Sequence, residues 1–447
     1  MDITANQIKL KEHLGIVTSD ANSLKFNFFV TPLIGKLSVE EGNYVLLPHP
    51  TLGDSYPVIA QVTEIKNYEE VVGTTLNEKA VHTTAVGKIL GYVESKKEKR
   101  YLRKLFSPPT PGSKVYLPYL DFIEDIFCRN PQGQPFKHAL QIGELESVAN
   151  TKKGPAKAVK FYLDADEFTK QHYLISAMSG TGKTHTAIVL IEELANKTTL
   201  PVIVFDPNKE YLQIGVTKEL FNKLDTKRKL KSSDYPFKFK VSAYTQETNS
   251  VSQLQGKNLN KNAKSKINLK PISTLWNKKT SKPKETEISE ELKKSMKSSK
   301  VTIIDSKSLN FDERKTLFSS CLKSLLKCRA ESSIEPFILI IEDANLVDSK
   351  TLESLVVGSR TIGVSMILIT QHPSELKSRV LSQVGTQIMG RTTDQHDLSC
   401  LANMALDKTN LLPRLRTGEW IINGITMKEP TKVLMREQYS KKTSIHD

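Results

Sequence analysis

The sequence predicts an α/β fold, with a P-loop ATPase core built on a mostly parallel sheet and preceded by a small β-barrel. Three observations predict it. The run Ser176-Ala177-Met178-Ser179-Gly180-Thr181-Gly182-Lys183-Thr184 fits the P-loop pattern, with Ala177 at its first, usually Gly, position. Downstream, continuous apolar runs alternate with helical stretches, which suits strands covered on both faces. Upstream, short strand-like runs are separated by turn residues.

Residues 1–130 hold the upstream runs: Val45-Leu46-Leu47-Pro48, Val58-Ile59-Ala60-Gln61-Val62 and Val115-Tyr116-Leu117-Pro118. Ser107-Pro108-Pro109-Thr110-Pro111-Gly112 breaks any regular element. Strands at this spacing predict a small barrel. Residues 131–164 read as linker and entry strands, with Val148–Lys160 the linker-like part. Residues 165–437 form the expected core, and 438–447 a tail.

Tyr173-Leu174-Ile175 is an apolar strand, and His185-Thr186-Ala187-Ile188-Val189-Leu190-Ile191 starts a helix. Strand, glycine loop and helix are the context that a P-loop needs. Gly180 and Gly182 let bare amides approach phosphates, and the helix N-terminus adds a favourable dipole. The segment from Ala177 to His185 is therefore the candidate nucleotide-binding loop. Lys183 is placed to reach the β and γ phosphates of ATP, and Thr184 to ligate Mg²⁺.

Val202-Ile203-Val204-Phe205-Asp206, Val301-Thr302-Ile303-Ile304-Asp305, Phe337-Ile338-Leu339-Ile340-Ile341 and Val364-Ser365-Met366-Ile367-Leu368-Ile369-Thr370 are the expected buried strands. Between them, Asp312–Arg329 has helical spacing, with Leu317, Phe318, Cys321, Leu322, Leu325 and Leu326 on one face. The segment 246–300 carries 13 Lys, no Arg and five Glu or Asp. Its sparse apolar residues predict a Lys-rich, low-complexity insertion that buries little. Two readings fit it equally: a flap that contacts DNA, or a solvated loop.

Glu342-Asp343 follows the strand 337–341, about 160 residues after the P-loop, as a Walker B pair does. The first acid, Glu342, would hold Mg²⁺ through water, and the second, Asp343, would orient the attacking water. Gln371 ends the next strand and is the candidate γ-phosphate sensor, because ligands of open α/β sheets sit at carboxyl strand ends. His372 reads as a turn residue before Pro373. Asp206 and Glu210 lie at the same sheet edge, to shape the site or the pore, with a helix N-cap by Asp206 or Asn208 as the alternative. Arg360 lies between Walker B and sensor strand. A guanidinium reaching a neighbouring subunit's γ-phosphate and an ordinary surface arginine fit that spacing equally.

The chain has 447 residues, enough for two or three cores. A formal net charge of +15 favours an acidic partner, with nucleic acid foremost. The four cysteines, Cys128, Cys321, Cys328 and Cys400, form no CxxC pair, which argues against zinc. The start resembles no secretory signal, and no run approaches the roughly 18 apolar residues of a membrane span. The expected setting is cytoplasmic, without a membrane.

Together these motifs resemble the HerA family, archaeal relatives of FtsK-type DNA translocases. The resemblance rests on Ile175–Thr184, on Val204–Tyr211 (Val-Phe-Asp-Pro-Asn-Lys-Glu-Tyr), and on Ile340–Asn345. It continues through Ser359–Pro373, Val380–Ile388 and Leu415–Glu419. It implies an N-terminal HAS barrel, a RecA-like core and a homo-hexameric ring around double-stranded DNA. It also implies ATP- and Mg²⁺-driven translocation or unwinding, in DNA repair and end trimming with a NurA-like nuclease. By position, Arg360 matches the family's trans-acting arginine finger, and Lys350 a basic residue near the subunit interface. Three departures stand out. Gln171 replaces an Arg that supplies a cis-acting charge, Asp343 replaces a Glu, and the 246–300 segment replaces a longer helical insertion. Two other functions fit the same motifs: a DNA-pumping ATPase of a virus, plasmid or conjugative element, and a nucleotide-binding scaffold with weak hydrolysis.

Overall fold

A computed structural model describes residues 13–31, 39–71, 79–151, 154–168, 170–214, 239–246, 267–277, 279–424, 427 and 429–440. Contacts divide the chain into two compact units, Met1–Phe136 with Gly143–Tyr162, and Lys137–Ile142 with Leu163–Asp447.

The first unit contains strands β1 (Gly15–Ala21), β2 (Lys25–Val30), β3 (Tyr44–His49), β4 (Gly53–Val71), β5 (Lys79–Lys96), β6 (Lys99–Arg103) and β7 (Lys114–Val115). They run in the order β3-β4-β5-β2-β1-β7, and every described pairing in it is antiparallel. Tyr116, just past β7, exchanges backbone hydrogen bonds of 2.7 and 2.8 Å with Leu46 of β3. That bridge returns the last strand to the first, so the sheet curls into a nearly closed barrel, which shortens its exposed edges. Val17, Phe26, Phe28, Val45, Leu47, Val58 and Val62 fill it. Leu140 and Ile142 on β8 (Ala139–Thr151), and Val159, Phe161 and Leu163 on β9 (Gly154–Asp164), are buried at alternate positions. The linker-like reading of Val148–Lys160 is thus corrected: its described residues belong to the end of β8 and the start of β9.

The second unit is the α/β core. Its strands are β10 (His172–Ser176), β11 (Val202–Asp206), β12 (Val241–Thr245), β13 (Ile267–Pro271), β14 (Trp276–Asn277), β15 (Lys282–Pro283), β16 (Val301–Asp305), β17 (Phe337–Ile341), β18 (Val364–Thr370), β19 (Val384–Met389), β20 (Glu419–Gly424) and β21 (Thr431–Met435). In the order β13-β12-β16-β11-β17-β18-β10-β19 all pairs are parallel, and β20 and β21 continue the sheet antiparallel. Every residue of β10, β11, β16, β17 and β18 is buried. The parallel strands therefore present their carboxyl ends, including Ser176, Asp206, Asp305 and Thr370, along one edge.

The Lys-rich segment needs a correction. Residues 247–266 lie outside the described residues, but from Ile267 onward the chain is part of the core. β13 pairs parallel with β12, and Ile272, Leu275 and Trp276 are buried. The helix Glu285–Ser298 buries Ile288, Leu292 and Ser295, one face at helical spacing. Lys270 Nζ donates to Glu291 Oε2 at 3.0 Å and to the Tyr244 hydroxyl at 3.2 Å. Lysines dominate the composition because they take the outward positions, while few apolar residues suffice for one narrow face. Leu292→Ala is expected to lower unfolding free energy by about 2–5 kcal/mol. Unchanged stability in a denaturant titration would contradict this packing.

Candidate active site

The P-loop joins β10 to the helix Lys183–Lys197. Gly180 and Gly182 adopt φ of +77° and +104°, values that side chains disfavour, so glycine is required there by backbone conformation. Ala177 is fully buried and is absent from the positive-φ residues, so it needs no glycine. Space for its methyl comes from Gly390 opposite. A Cβ on Gly390 would lie 2.8 Å from Ala177 Cβ and 2.8 Å from Trp420 Cζ3. Trp420, from β20, thus packs beside the loop, a contact that no sequence motif announced. Met178 N donates to Arg391 O at 2.9 Å and Ala177 N to Thr370 O at 3.4 Å, anchoring the loop to the ends of its neighbours.

Lys183 is buried, and its Nζ donates to Ala177 O at 2.9 Å and Met178 O at 3.2 Å. Burial lowers its pKa, while the charges of Glu342, Asp343 and Glu210 pull the other way. Those three acids come from β17 and from the turn after β11, so the sheet edge gathers the P-loop lysine and the Walker B pair expected from sequence. Thr184 Oγ1 donates to Glu210 Oε2 at 2.6 Å. Met178, Ser179 and Gly180 are exposed at the loop tip, and Thr181 Oγ1 turns back to Met178 O at 2.7 Å. His185 Nε2 donates to the Arg436 carbonyl at 2.8 Å.

The turn after β11 is built by Asp206. This buried carboxylate accepts from the backbone N–H groups of Asn208, Glu210 and Tyr211 at 3.2, 3.1 and 3.0 Å. Burial, with Asp305 beside it, raises its pKa to about 7. Of the two roles open to Asp206 in the sequence, it organises this turn. The Tyr211 hydroxyl donates to Glu342 Oε2. Glu342 is only 3% exposed, and burial, reinforced by Asp343, Glu210 and Asp206, raises its pKa to about 8. Asp343 is half-buried and accepts from Asn208 Nδ2 at 3.1 Å. Sequence reasoning placed Glu210 at this edge without its partner, and missed the role of Tyr211. The Asp-Pro-Asn-Lys-Glu-Tyr motif marked their position without showing which partners they face.

Gln371 is exposed, one residue beyond the end of β18 that touches Ala177. His372 sits in a turn, its Nδ1 3.1 Å from Asp397 Oδ2. Gln171 lies at the amino-terminal end of β10, buried, with Nε2 donating to the Tyr173 hydroxyl at 3.0 Å and Oε1 accepting from Thr386 Oγ1 at 3.3 Å. Four residue steps of strand, about 13 Å, separate His172 from Ser176. Position 171 is therefore at the wrong end of β10 for a cis-acting charge on a nucleotide at this loop. Arg360 is exposed after the helix Ser349–Ser359, near the same amino-terminal edge, where its charge bears on buried His172. Among the described residues its side chain has no ion pair. Lys350 is exposed on that helix's first turn.

All of these donors are oxygen, which suits a hard cation such as Mg²⁺. Among the described residues no group of three or more His, Cys, Asp or Glu forms a metal cage.

Comparison with known proteins points the same way as the motifs. Residues 140–244 match the family model described as the helicase HerA central domain. A probable helicase of Methanocaldococcus jannaschii is 24% identical, over 95% of this chain and 95% of its own length. The DNA double-strand break repair helicase HerA of Pyrococcus furiosus is 21% identical over 95% of this chain and 92% of its own. The chain is similar to HerA helicases over nearly its whole length. The corresponding helicase of Sulfurisphaera tokodaii is 24% identical over 94% of this chain and 92% of its own. Among solved structures, VirB4 of Thermoanaerobacter pseudethanolicus aligns with a TM-score of 0.39 at 14% identity, over 67% of this chain and 97% of that one. The P-loop ATPase core carries Lys183, Thr184 and the acids around them at the carboxyl edge of its sheet.

Proposed function

We propose that this protein is an ATP-driven translocase or helicase that acts on double-stranded DNA as a homo-hexameric ring, with DNA-end processing beside a nuclease as its setting. The observation that carries this reading is the gathering of Lys183, Thr184, Glu210, Glu342 and Asp343 at one sheet edge. It occurs in a chain aligned over nearly its whole length with helicases that repair DNA double-strand breaks. A net charge of +15 supports phosphate contacts that do not read sequence, so binding should weaken steeply with salt. Among the described residues no helix is long and apolar enough to cross a membrane. The direct test measures ATP hydrolysis with and without duplex DNA. Stimulation by DNA is expected, and turnover at background in both would overturn the proposal.

Arg360 supports the ring. It follows the helix Ser349–Ser359 near His172, at the opposite end of β10 from its own P-loop, a position that suits action on a neighbour's nucleotide. Arg360→Ala should spare ATP binding and lower turnover on the order of 1000-fold, as loss of an arginine finger does. Mixing it with Asp343→Asn subunits should restore some hydrolysis, because some interfaces then combine two intact halves. Mixed rings that form yet restore nothing would remove Arg360 from the active site.

A further inference from the structure

We infer that Glu210, and not Glu342, is the acid that serves the magnesium site. This rests on the nucleotide-site reading above and reassigns one role within it. A threonine hydroxyl that ligates a cation does so through an oxygen lone pair, so its proton must point to an acceptor elsewhere. In this chain the acceptor is Glu210 Oε2, 2.6 Å from Thr184 Oγ1. A carboxylate bonded to the ligating hydroxyl is also within reach of the ion's water shell. The backbone holds it there, because the Glu210 N–H donates to Asp206 Oδ1 at 3.1 Å. Asp206 is itself fully buried at the end of β11.

Glu342 is arranged differently. Its side chain is closed off from solvent at 3% exposure, and Oε2 is taken by the Tyr211 hydroxyl. Tyr211 is fully buried, and its own N–H donates to Asp206 Oδ2 at 3.0 Å. One buried aspartate therefore orients two neighbouring residues for two tasks. Glu210 goes to the P-loop hydroxyl, and Tyr211 latches the end of β17 to the turn after β11. Glu342 acts on the site through that latch, as a positioning residue.

The test uses the full-length chain and a fluorescent, non-hydrolysable ATP analogue, with binding followed in EDTA and across a Mg²⁺ titration. Glu210→Gln should raise the Mg²⁺ concentration for half-maximal binding about 10- to 100-fold, the usual cost of losing an outer-shell metal partner. Its affinity in EDTA should stay near that of wild type. Glu342→Gln, which keeps an acceptor for Tyr211, should leave the Mg²⁺ requirement within about twofold. Glu210→Asp keeps the charge but withdraws it, and should fall between wild type and Gln. Mn²⁺ in place of Mg²⁺, with the bound fraction read by electron paramagnetic resonance, should rank the variants identically. A Mg²⁺ requirement that moves in Glu342→Gln and not in Glu210→Gln would overturn the assignment. Failure of the wild-type chain to bind the analogue in either condition would instead overturn the nucleotide site itself.

Discussion

Lys183→Ala is expected to abolish ATP hydrolysis, with turnover down at least about 100- to 1000-fold, the scale for removing one preorganised charge from a transition state. The geometry makes the loss larger than one missing contact. Lys183 Nζ sits in a buried position, bonded to the Ala177 and Met178 carbonyls. It is also the cation toward which Glu342, Asp343 and Glu210 direct their fields. Removing it leaves three acids facing an anionic nucleotide with nothing between them but the ion that the nucleotide brings. Affinity for ATP should therefore fall together with kcat, and the loop carbonyls lose the donor that draws them inward. Steady-state hydrolysis with duplex DNA, alongside fluorescent nucleotide binding, measures both effects. Near-normal turnover would remove the P-loop assignment.

Much of the core was legible because parallel strands buried on both faces write themselves as unbroken apolar runs. Val202–Asp206 and Phe337–Ile341 are such runs, Val301–Asp305 and Val364–Thr370 are runs with one polar residue inside (Thr302, Ser365), and each is a strand of the sheet. Walker A and Walker B were legible for a related reason: they follow strand ends, where backbone and chemistry are both constrained. What stayed hidden is pairing across the chain. Thr184 and Glu210 are 26 residues apart, and Tyr211 and Glu342 are 131 apart. A single chain carries no mark of which acid meets which hydroxyl. Composition misled where a few residues decide. Between 267 and 300, five buried apolar side chains on spaced positions outweigh nine lysines, because burial counts positions and not averages. Val241–Thr245 was missed as a strand, and its polar Ser242 and Thr245 are both buried, bonded to Ser299 and Asp305.

Asp343→Asn should stop hydrolysis while leaving ATP bound. Asp343 has φ of +52° and ψ of +65°, the left-handed region, where Asp and Asn are the side chains most readily tolerated. Asparagine therefore keeps the backbone, the shape and a partner for Asn208 Nδ2, which now lies 3.1 Å from Asp343 Oδ2. What it loses is a charge able to orient and deprotonate water, a role worth about 100- to 10,000-fold. Binding should hold or tighten, because one negative charge leaves the vicinity of the phosphates. Asp343→Glu separates charge from reach. From the sequence alone glutamate looks like a restoration of the family's residue, but the backbone argues otherwise. A longer side chain has less local compensation in this conformation, and its carboxylate moves away from Asn208. Displacement near 1 Å costs on the order of 100-fold in rate. Turnover in the Glu variant should thus lie between wild type and Asn. Single-turnover hydrolysis with DNA present distinguishes the outcomes. An Asn variant as fast as wild type would show that Asp343 does not prepare the water. Wild-type turnover at background, in assembled rings with DNA, would leave a nucleotide-binding scaffold in place of a motor.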